Sequence, residues 1–562
     1  MDRQTVFALN IQALSEKNPR LSSRLLEAKA SNDHYRFRES KTGGTVPVYT
    51  GAPGAEFPLH STIDPKREAR RLIAAELDGW DEDSFIITMG LGGGFVQEAA
   101  LEKGAARVLA IDFGMEGVAE LFRSINYVNL LRSPRFALLT DPSDEEIKDF
   151  ILERYQPALS GGVKVIPLRA RTEADKTKFD KAALAVQEAL KNTAADYGVQ
   201  AHLGFRWFSN IIRNIMAVET REKTAPPVKE AAIAAAGPSL DMQIPALAEL
   251  QSRKTFIISS DTALPALLSH GIKPDAAASI DCQHISYYHF IGRDLKNIPL
   301  FLDIASPPLL CRFSSSPVFF CGGHPLALYI SQNWRPFPLV DASGGNITYA
   351  CLSLAESLGA ERVTLFGADF SYIRSRTYAR GTYVCPFFDR KQNRLHPSES
   401  LLSAFLYRNP FLPRKKSLTG GAKPAYYETG QLRFYRHKLQ EKASKMNAHI
   451  IIAEGNGAPI KLPLGKQSDK RDAHPPSFAA GKAKMGAREF LEQYKNKIAA
   501  LPSGSADAGL FYELSYENRQ VLTTLLPFAA AFKYRNPGVK NRDMLEEIKR
   551  LSLEKIERVI QD

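Results

Sequence analysis

Short apolar runs that end in small or acidic residues, each followed by apolar positions at helical spacing, recur along the chain and predict buried strands alternating with helices. Ala231 to Ala236 predicts a strand closed by the turn Gly237-Pro238-Ser239, whose serine is expected to cap the next helix. Phe256 to Ser260 predicts a second strand with Asp261 at its carboxyl end, an apolar helix from Ala263 to Leu268 with Gly271 as its C-cap, and a third strand ending at Asp281. Further on, Asp341 to Thr348 opens a helix that runs to Leu358, Arg362 to Phe366 predicts a strand leading into Gly367-Ala368-Asp369-Phe370, and His449 to Ile452 reads as a last strand. This alternation predicts a largely parallel α/β sheet.

The same pattern occurs upstream. Arg67 to Leu77 reads as a helix, Phe85 to Met89 as a strand, Gly90 to Gly94 as a glycine turn, Val96 to Glu102 as a helix, and Val108 to Ile111 as a strand ending at Asp112. A strand at Lys164 to Leu168 follows, then separate helices at Lys181 to Tyr197 and Phe208 to Val218. The order is Rossmann-like. The expected division is an N-terminal helix with short strands punctuated by Gly51 to Pro58 (residues 1–60), a Rossmann-like domain (61–200), a central α/β domain (201–456), a Lys, Gly, Pro and Ser-rich linker (457–486) and a C-terminal helical bundle (487–562). The polar, proline-bearing stretch Glu219 to Val228 leads into the central sheet.

Two places invite a nucleotide. The positive end of a helix dipole suits an anion at Gly237 to Ser239, and ligands of open α/β sheets sit beyond the carboxyl ends of strands, where Ser260, Asp261 and Asp281 would gather with that turn. Ser343, Gly344 and Asn346 can either donate to an anion or ribose or simply cap their helix, and Asp369 either accepts from a sugar hydroxyl or serves a turn. In the upstream unit Asp112 lies 18 positions after Gly94, so it either accepts from a ribose or belongs to a scaffold without cofactor. Position 88 is Thr, where the methyltransferases usually carry a carboxylate. His284 and His289 read as core or surface histidines rather than metal ligands.

Composition narrows the classes. The 562 residues, 44% hydrophobic and 24% charged, are those of a multidomain globular chain, and no apolar run approaches the roughly 20 residues needed to cross a bilayer. No membrane partner is expected. The first residues lack a basic region followed by an apolar core and cleavage site, so a cytoplasmic location is expected. Five dispersed cysteines, Cys282, Cys311, Cys321, Cys351 and Cys385, form no C-x-x-C pair and read as reduced thiols. A net charge of +12 favours anionic partners, but without a nucleic-acid-binding motif nucleic acid is not among them. The charge concentrates after Asp369 in Arg374, Arg376, Arg380, Arg390, Lys391, Arg394, Arg408, Arg414, Lys415 and Lys416, opposed between Ser371 and Ser417 by Asp389 and Glu399 alone. With Tyr372, Tyr378 and Tyr383 this segment reads as a lid or a solvated loop.

Taken in order, Gly237-Pro238-Ser239-Leu240, Ser260-Asp261-Thr262-Ala263-Leu264, Gly271-Ile272-Lys273-Pro274-Asp275, Ser279-Ile280-Asp281, Ser343-Gly344-Gly345 and Leu365 to Tyr372 resemble the motility accessory factor (Maf) proteins over residues 200 to 455. The core of that family is also similar to archaeal 6-hydroxymethylpterin diphosphokinases and to bacterial CMP-sialic acid-dependent sialyltransferases. The resemblance implies an α/β glycosyltransferase that moves a nonulosonic acid, pseudaminic or legionaminic, from a CMP donor to Ser or Thr hydroxyls of flagellin. It implies that the turn Gly237, Pro238 and Ser239, with Asp261, Asp281, Ser343 and Gly344, holds the CMP and that Tyr372 and Tyr378 steady the leaving phosphate; Ser260 and Asn346 are further candidates for the nucleotide, and Asp369 is a candidate catalytic carboxylate. No cofactor or metal is required if tyrosines and helix ends balance the charge. Ala235 stands where the sialyltransferases often have glycine, and the loop Ala425 to Gly430 lacks their histidine base, which His396, Glu428 or Asp389 would replace. Two alternatives stay open: ATP-to-pterin diphosphate transfer with Mg²⁺ on Asp261, Asp281 and Asp369, and a non-catalytic flagellin chaperone or scaffold.

Overall fold

A computed structural model of the protein describes all residues except 1, 30–33, 51–55, 81–82, 220–224, 375, 409–413, 416–425, 463–477, 479, 503–510, 512–513 and 540. Parts of the Gly51 to Pro58 segment, of the Glu219 to Val228 stretch and of the expected linker, together with Lys416 and Ala425, therefore lie outside the described residues. The described chain is mixed α/β and divides into two compact units, residues 1–205 with 496–554 and residues 206–495 with 555–562. The C-terminal helices Ala487–Ala499, Tyr516–Arg535 and Asn541–Gln561 are shared between these units rather than set apart as one bundle.

In the first unit, strands Phe136–Thr140, Arg107–Asp112, Phe85–Met89 and Val163–Pro167 lie in that spatial order, all parallel. Their near-continuous apolar runs suit burial on both faces. The expected boundary at residue 60 is absent, because Ile11 and Leu14 of helix Arg3–Ser15 enter the same core as Ile86, Val108 and Phe122. Asn10 pins that helix: its side-chain amide donates to the Phe122 and Ile125 carbonyls at 2.8 and 2.7 Å and accepts from Tyr127 N at 2.8 Å. A buried amide without those partners would cost about 1–3 kcal/mol.

The two helices expected at Lys181 to Tyr197 and Phe208 to Val218 are a single helix of 44 residues, Lys176–Glu219. Gly198 and Gly204 suggest a break in sequence, each costing about 1 kcal/mol relative to alanine. The helix tolerates Gly204 for a packing reason: a Cβ there would collide with the backbone carbonyl of Pro527, so glycine lets the two helices approach backbone to backbone.

The second unit is built on seven parallel strands. Their spatial order is Pro317–Phe320, Leu300–Asp303, Ala276–Ser279, Phe256–Ser260, Glu230–Ala234, Arg362–Phe366 and His449–Ile452. The first strand in sequence, Glu230–Ala234, thus lies between the second and the sixth. Strand order reverses there, and such a reversal opens a crevice at the carboxyl edge of a parallel sheet. Helices Leu240–Ser252 and Ile347–Ser357 connect parallel strands by crossing back over the sheet, so both begin at that edge.

Candidate functional site at the carboxyl edge of the central sheet

The reversal point is closed by two turns knitted together. Gly237 N donates to Gly367 O at 2.8 Å, and Ser239 N donates to the Asp369 carboxylate at 2.7 Å. A Cβ on Gly237 would meet Asp369 Oδ2 and the Gly367 carbonyl, so only glycine allows this approach. Gly367 has φ +63°, and a Cβ on it would strike the Ala235 carbonyl. Phe370, which is not glycine, is also left-handed, with φ +44°. Strain of this kind persists only where the surroundings enforce it, and it concentrates at functional sites.

The expected cap by Ser239 is corrected. Ser239 is the N-cap residue of Leu240–Ser252, but its right-handed helical conformation (φ −67°, ψ −18°) gives no side-chain cap. Its hydroxyl instead accepts from Asn456 N at 2.9 Å, and Gln243 ties Gly367 N at 2.7 Å to the Glu454 carbonyl at 2.8 Å. The anion at this helix start is supplied by the protein itself, as Asp369. Burial raises the Asp369 pKa, against the opposing pull of the Ser239 hydrogen bonds.

Beside this turn the strand ends form an acidic row. Asp261, 4% exposed, accepts from Thr262 N at 2.6 Å and from the Ser279 hydroxyl at 2.7 Å, and Ser260 Oγ accepts from Ala263 N at 3.2 Å. Asp281 accepts from Gln283 N at 2.9 Å; burial raises its pKa, and the Asp261 charge adds to the effect. Asp303 also belongs to the row and escaped the sequence reading, although Leu300–Asp303 repeats the pattern of an apolar strand ending in an acid. It is buried, accepts from Ala305 N at 2.8 Å, and burial pushes its pKa up to about 7. Among the described residues no group of three or more His, Cys, Asp or Glu is arranged to hold a metal ion.

Ser343, Gly344 and Asn346 are occupied locally. Asn346 caps Ile347–Ser357 by accepting from Tyr349 N at 3.0 Å and donates to Gly344 O at 3.1 Å, while Ser343 N donates to Asp341 at 2.9 Å. Tyr349 OH donates to the other Asp341 oxygen at 2.6 Å, and its ring fills the space a Gly344 side chain would need.

The segment after Asp369 is packed rather than a bare solvated loop. It contains helices Val384–Asp389 and Ser398–Leu406, and Tyr372–Ile373 pairs with Tyr426–Tyr427, which pairs in turn with Arg414–Lys415. Ala379 N donates to Ala236 O at 2.9 Å, and Arg376 reaches Asp241 at 2.6 Å, so the segment is tied to the Gly237 turn. Lys391 lies over Phe387 at 3.9 Å and Arg408 over Phe405 at 4.5 Å, which spends part of the positive charge on rings. Tyr383 stands edge-on to His289 with ring centroids 4.5 Å apart, and Tyr378 lies 6.4 Å from Tyr383. Burial raises the pKa of Tyr372, Tyr378 and Tyr383, so their hydroxyls stay protonated donors.

Of the residues expected to supply a base, Glu428 is fully buried between Arg436, at 2.5 Å, and Arg433, at 3.4 Å. These two guanidiniums occupy the lone pairs a base would use. His396 is exposed in a turn where its backbone N donates to Asn393 at 3.0 Å. Neither is brought to the acidic row by any contact among the described residues.

The upstream glycine turn carries its own filling. Asp112 accepts from Leu91 N at 2.7 Å, Phe113 N at 2.8 Å and Arg171 Nε at 2.9 Å, with both charged side chains buried. His60 accepts from Gly93 N at 2.8 Å, and a Cβ on Gly92 would meet His60 and Leu168. The carboxylate that could have met a ribose is thus committed to Arg171. The cysteines are free thiols, buried except Cys385, and no helix among the described residues is long and apolar enough to cross a membrane.

Residues 206–375 match the family described as 6-hydroxymethylpterin diphosphokinase MptE-like. Two uncharacterized proteins of Treponema pallidum (strain Nichols) are similar in part. One is 34% identical over 130 residues, 22% of this chain and 45% of its own length; the other is 33% identical over 140 residues, 24% and 66% respectively. The chain thus spans less than two thirds of the curated relatives it matches. The Maf glycosyltransferase from Magnetospirillum magneticum AMB-1 is similar in structure, with a TM-score of 0.60 and 14% identity, covering 100% of this chain and 95% of that one. The chain therefore has the fold of a Maf glycosyltransferase along its length, with an MptE-like domain at residues 206–375.

Proposed function

We propose that the protein is a glycosyltransferase that moves a nonulosonic acid, of pseudaminic or legionaminic type, from a CMP donor to Ser or Thr hydroxyls of flagellin in the cytoplasm. The observation that carries this reading is the meeting of the Gly237 turn, the acidic row and protonated tyrosines at one sheet edge. The likeness of fold to a glycosyltransferase supports it.

In this reading Gly237 to Ser239, Ser260, Asp261, Asp281 and Ser343 to Asn346 border the CMP. Because burial raises the Asp369 pKa, that carboxyl is more readily neutralised, which lowers the cost of bringing a phosphate beside it. Tyr372 and Tyr378 donate to the phosphate as negative charge develops on it, the interaction by which donors favour a transition state over the bound substrate.

Thermal unfolding with added nucleotide tests the proposal. Stabilisation by CMP or CTP that is lost in Ser239→Ala and Asp281→Ala supports it. The MptE-like match keeps pterin diphosphate transfer as a second reading, and stabilisation by ATP with Mg²⁺ alone would favour that one. No response to any nucleotide would leave a scaffold. The intact mass of flagellin from cells lacking the protein tests the acceptor: an unchanged mass removes flagellin.

A further inference from the structure

His289 lies in the short helix Tyr287–Phe290, which follows the acidic row. It is 6% exposed, and among the described residues its buried Nδ1 has no hydrogen-bond partner. An orphaned buried polar atom of this kind is costly, and native structures keep few of them. Around it stand Asp261 and Asp281 from the strand ends, Arg293 from its own stretch of chain, and Tyr383 from the segment that folds over the sheet edge. Burial lowers its pKa while the two carboxylates act in the opposite sense, so the ring is neutral near pH 7 yet has anions ready to stabilise its charged form.

We infer that His289 is the base of the transfer reaction, its Nδ1 taking the proton of the acceptor hydroxyl. The inference rests on the proposed glycosyl transfer and supplies the base that Glu428 and His396 do not present to the acidic row. As the hydroxyl proton passes to Nδ1, the oxygen lone pair forms the bond to the anomeric carbon. The bond from that carbon to the phosphate oxygen breaks, and its electron pair leaves with CMP. The imidazolium, held beside Asp261 and Asp281, afterwards returns its proton to water. Tyr383 packs edge-on against the ring and fixes its plane, which makes it a positioning residue.

The test uses the full chain with flagellin and CMP-pseudaminic or CMP-legionaminic acid, following transfer by intact mass. His289→Gln and His289→Ala should lower kcat by roughly 10²- to 10⁴-fold, the usual worth of a positioned base, while CMP-induced stabilisation changes by less than about twofold. Imidazole should restore part of the His289→Ala rate. The wild-type rate should fall on the acid side with an apparent pKa below the ordinary histidine value of about 6.5. Transfer by both variants within about threefold of wild type would overturn the assignment. If wild-type protein neither responds to CMP nor modifies flagellin, the transfer reading itself falls and this inference falls with it. An active wild type with active variants removes only the role of His289.

Discussion

Ser239 N donates to Asp369 Oδ2 at 2.7 Å across 130 residues of sequence, joining the first and sixth strands of the central sheet at the point where strand order reverses. The bond sets a carboxylate at the start of helix Leu240–Ser252, where the dipole favours it. Asp369→Ala orphans a buried N–H and should cost about 1–3 kcal/mol, whereas Asp369→Asn keeps an acceptor and should cost less. Urea unfolding of the two variants checks the order. Equal losses would mean that the carboxylate is not what holds the turn.

Arg171 neutralises Asp112 inside the first unit at 2.9 Å, and both side chains are buried. Arg171→Met removes one member of a buried pair and leaves the other uncompensated, which should cost about 3–5 kcal/mol. Stabilisation by CMP, which we propose for the second unit, should persist. The pair of readings is a melting curve with and without nucleotide; loss of the nucleotide response in a folded Arg171→Met protein would give the upstream turn a part in binding.

How much of this was legible in sequence depends on the range of the interaction. Phe256–Ser260, Arg362–Phe366 and His449–Ile452 coincide with their expected strands, because a short apolar run flanked by turn residues declares itself locally. The gathering of Asp261 and Asp281 at one edge followed from the α/β alternation alone. The continuity of Lys176–Glu219 was missed, and the fit of its Gly204 against the Pro527 carbonyl is a packing fact about another helix. Ser239 misled similarly: the residue that satisfies its N–H is Asp369, and no local pattern names it. His289 looked ordinary until the structure showed what surrounds it and that its Nδ1 has no partner among the described residues. Asp303 differs, being readable from the repeated strand-end pattern.

Asp303 gives a pH dependence with a definite sign. Its folded pKa of about 7 exceeds the ordinary 3.8, so between those values the folded state holds a proton that the unfolded chain has released. Stability from this group is therefore complete at low pH, declines as pH rises through the window by up to about 1.4 kcal/mol per unit, and levels off above about 7. Asp303→Asn cannot titrate. The difference in unfolding free energy between wild type and Asp303→Asn should change between about pH 5 and about pH 8; a constant difference would show that the carboxyl stays ionised throughout.

Tyr378→Phe keeps the ring and removes only the hydroxyl. Under the transfer reading it should lower kcat by roughly 10²-fold, with little change in melting temperature or in KM for the donor, since its contribution belongs to the developing charge. Tyr372→Phe should act in the same direction. A rise in KM with kcat unchanged would instead assign these hydroxyls to ground-state binding.

The reversed strand order also governs when the crevice can exist during synthesis. A nascent chain that has emerged through Pro317–Phe320 already holds five neighbouring strands and three of the acids, Asp261, Asp281 and Asp303. Its first strand still has an open edge, and Ser239 N has no Asp369 to meet. Only after a further stretch containing Ile347–Ser357 and Arg362–Phe366 is made can that edge be covered, a non-local pairing that is slow to form. Under the proposed reading, nucleotide binding by ribosome-bound chains would consequently report the completion of the sheet, not its beginning.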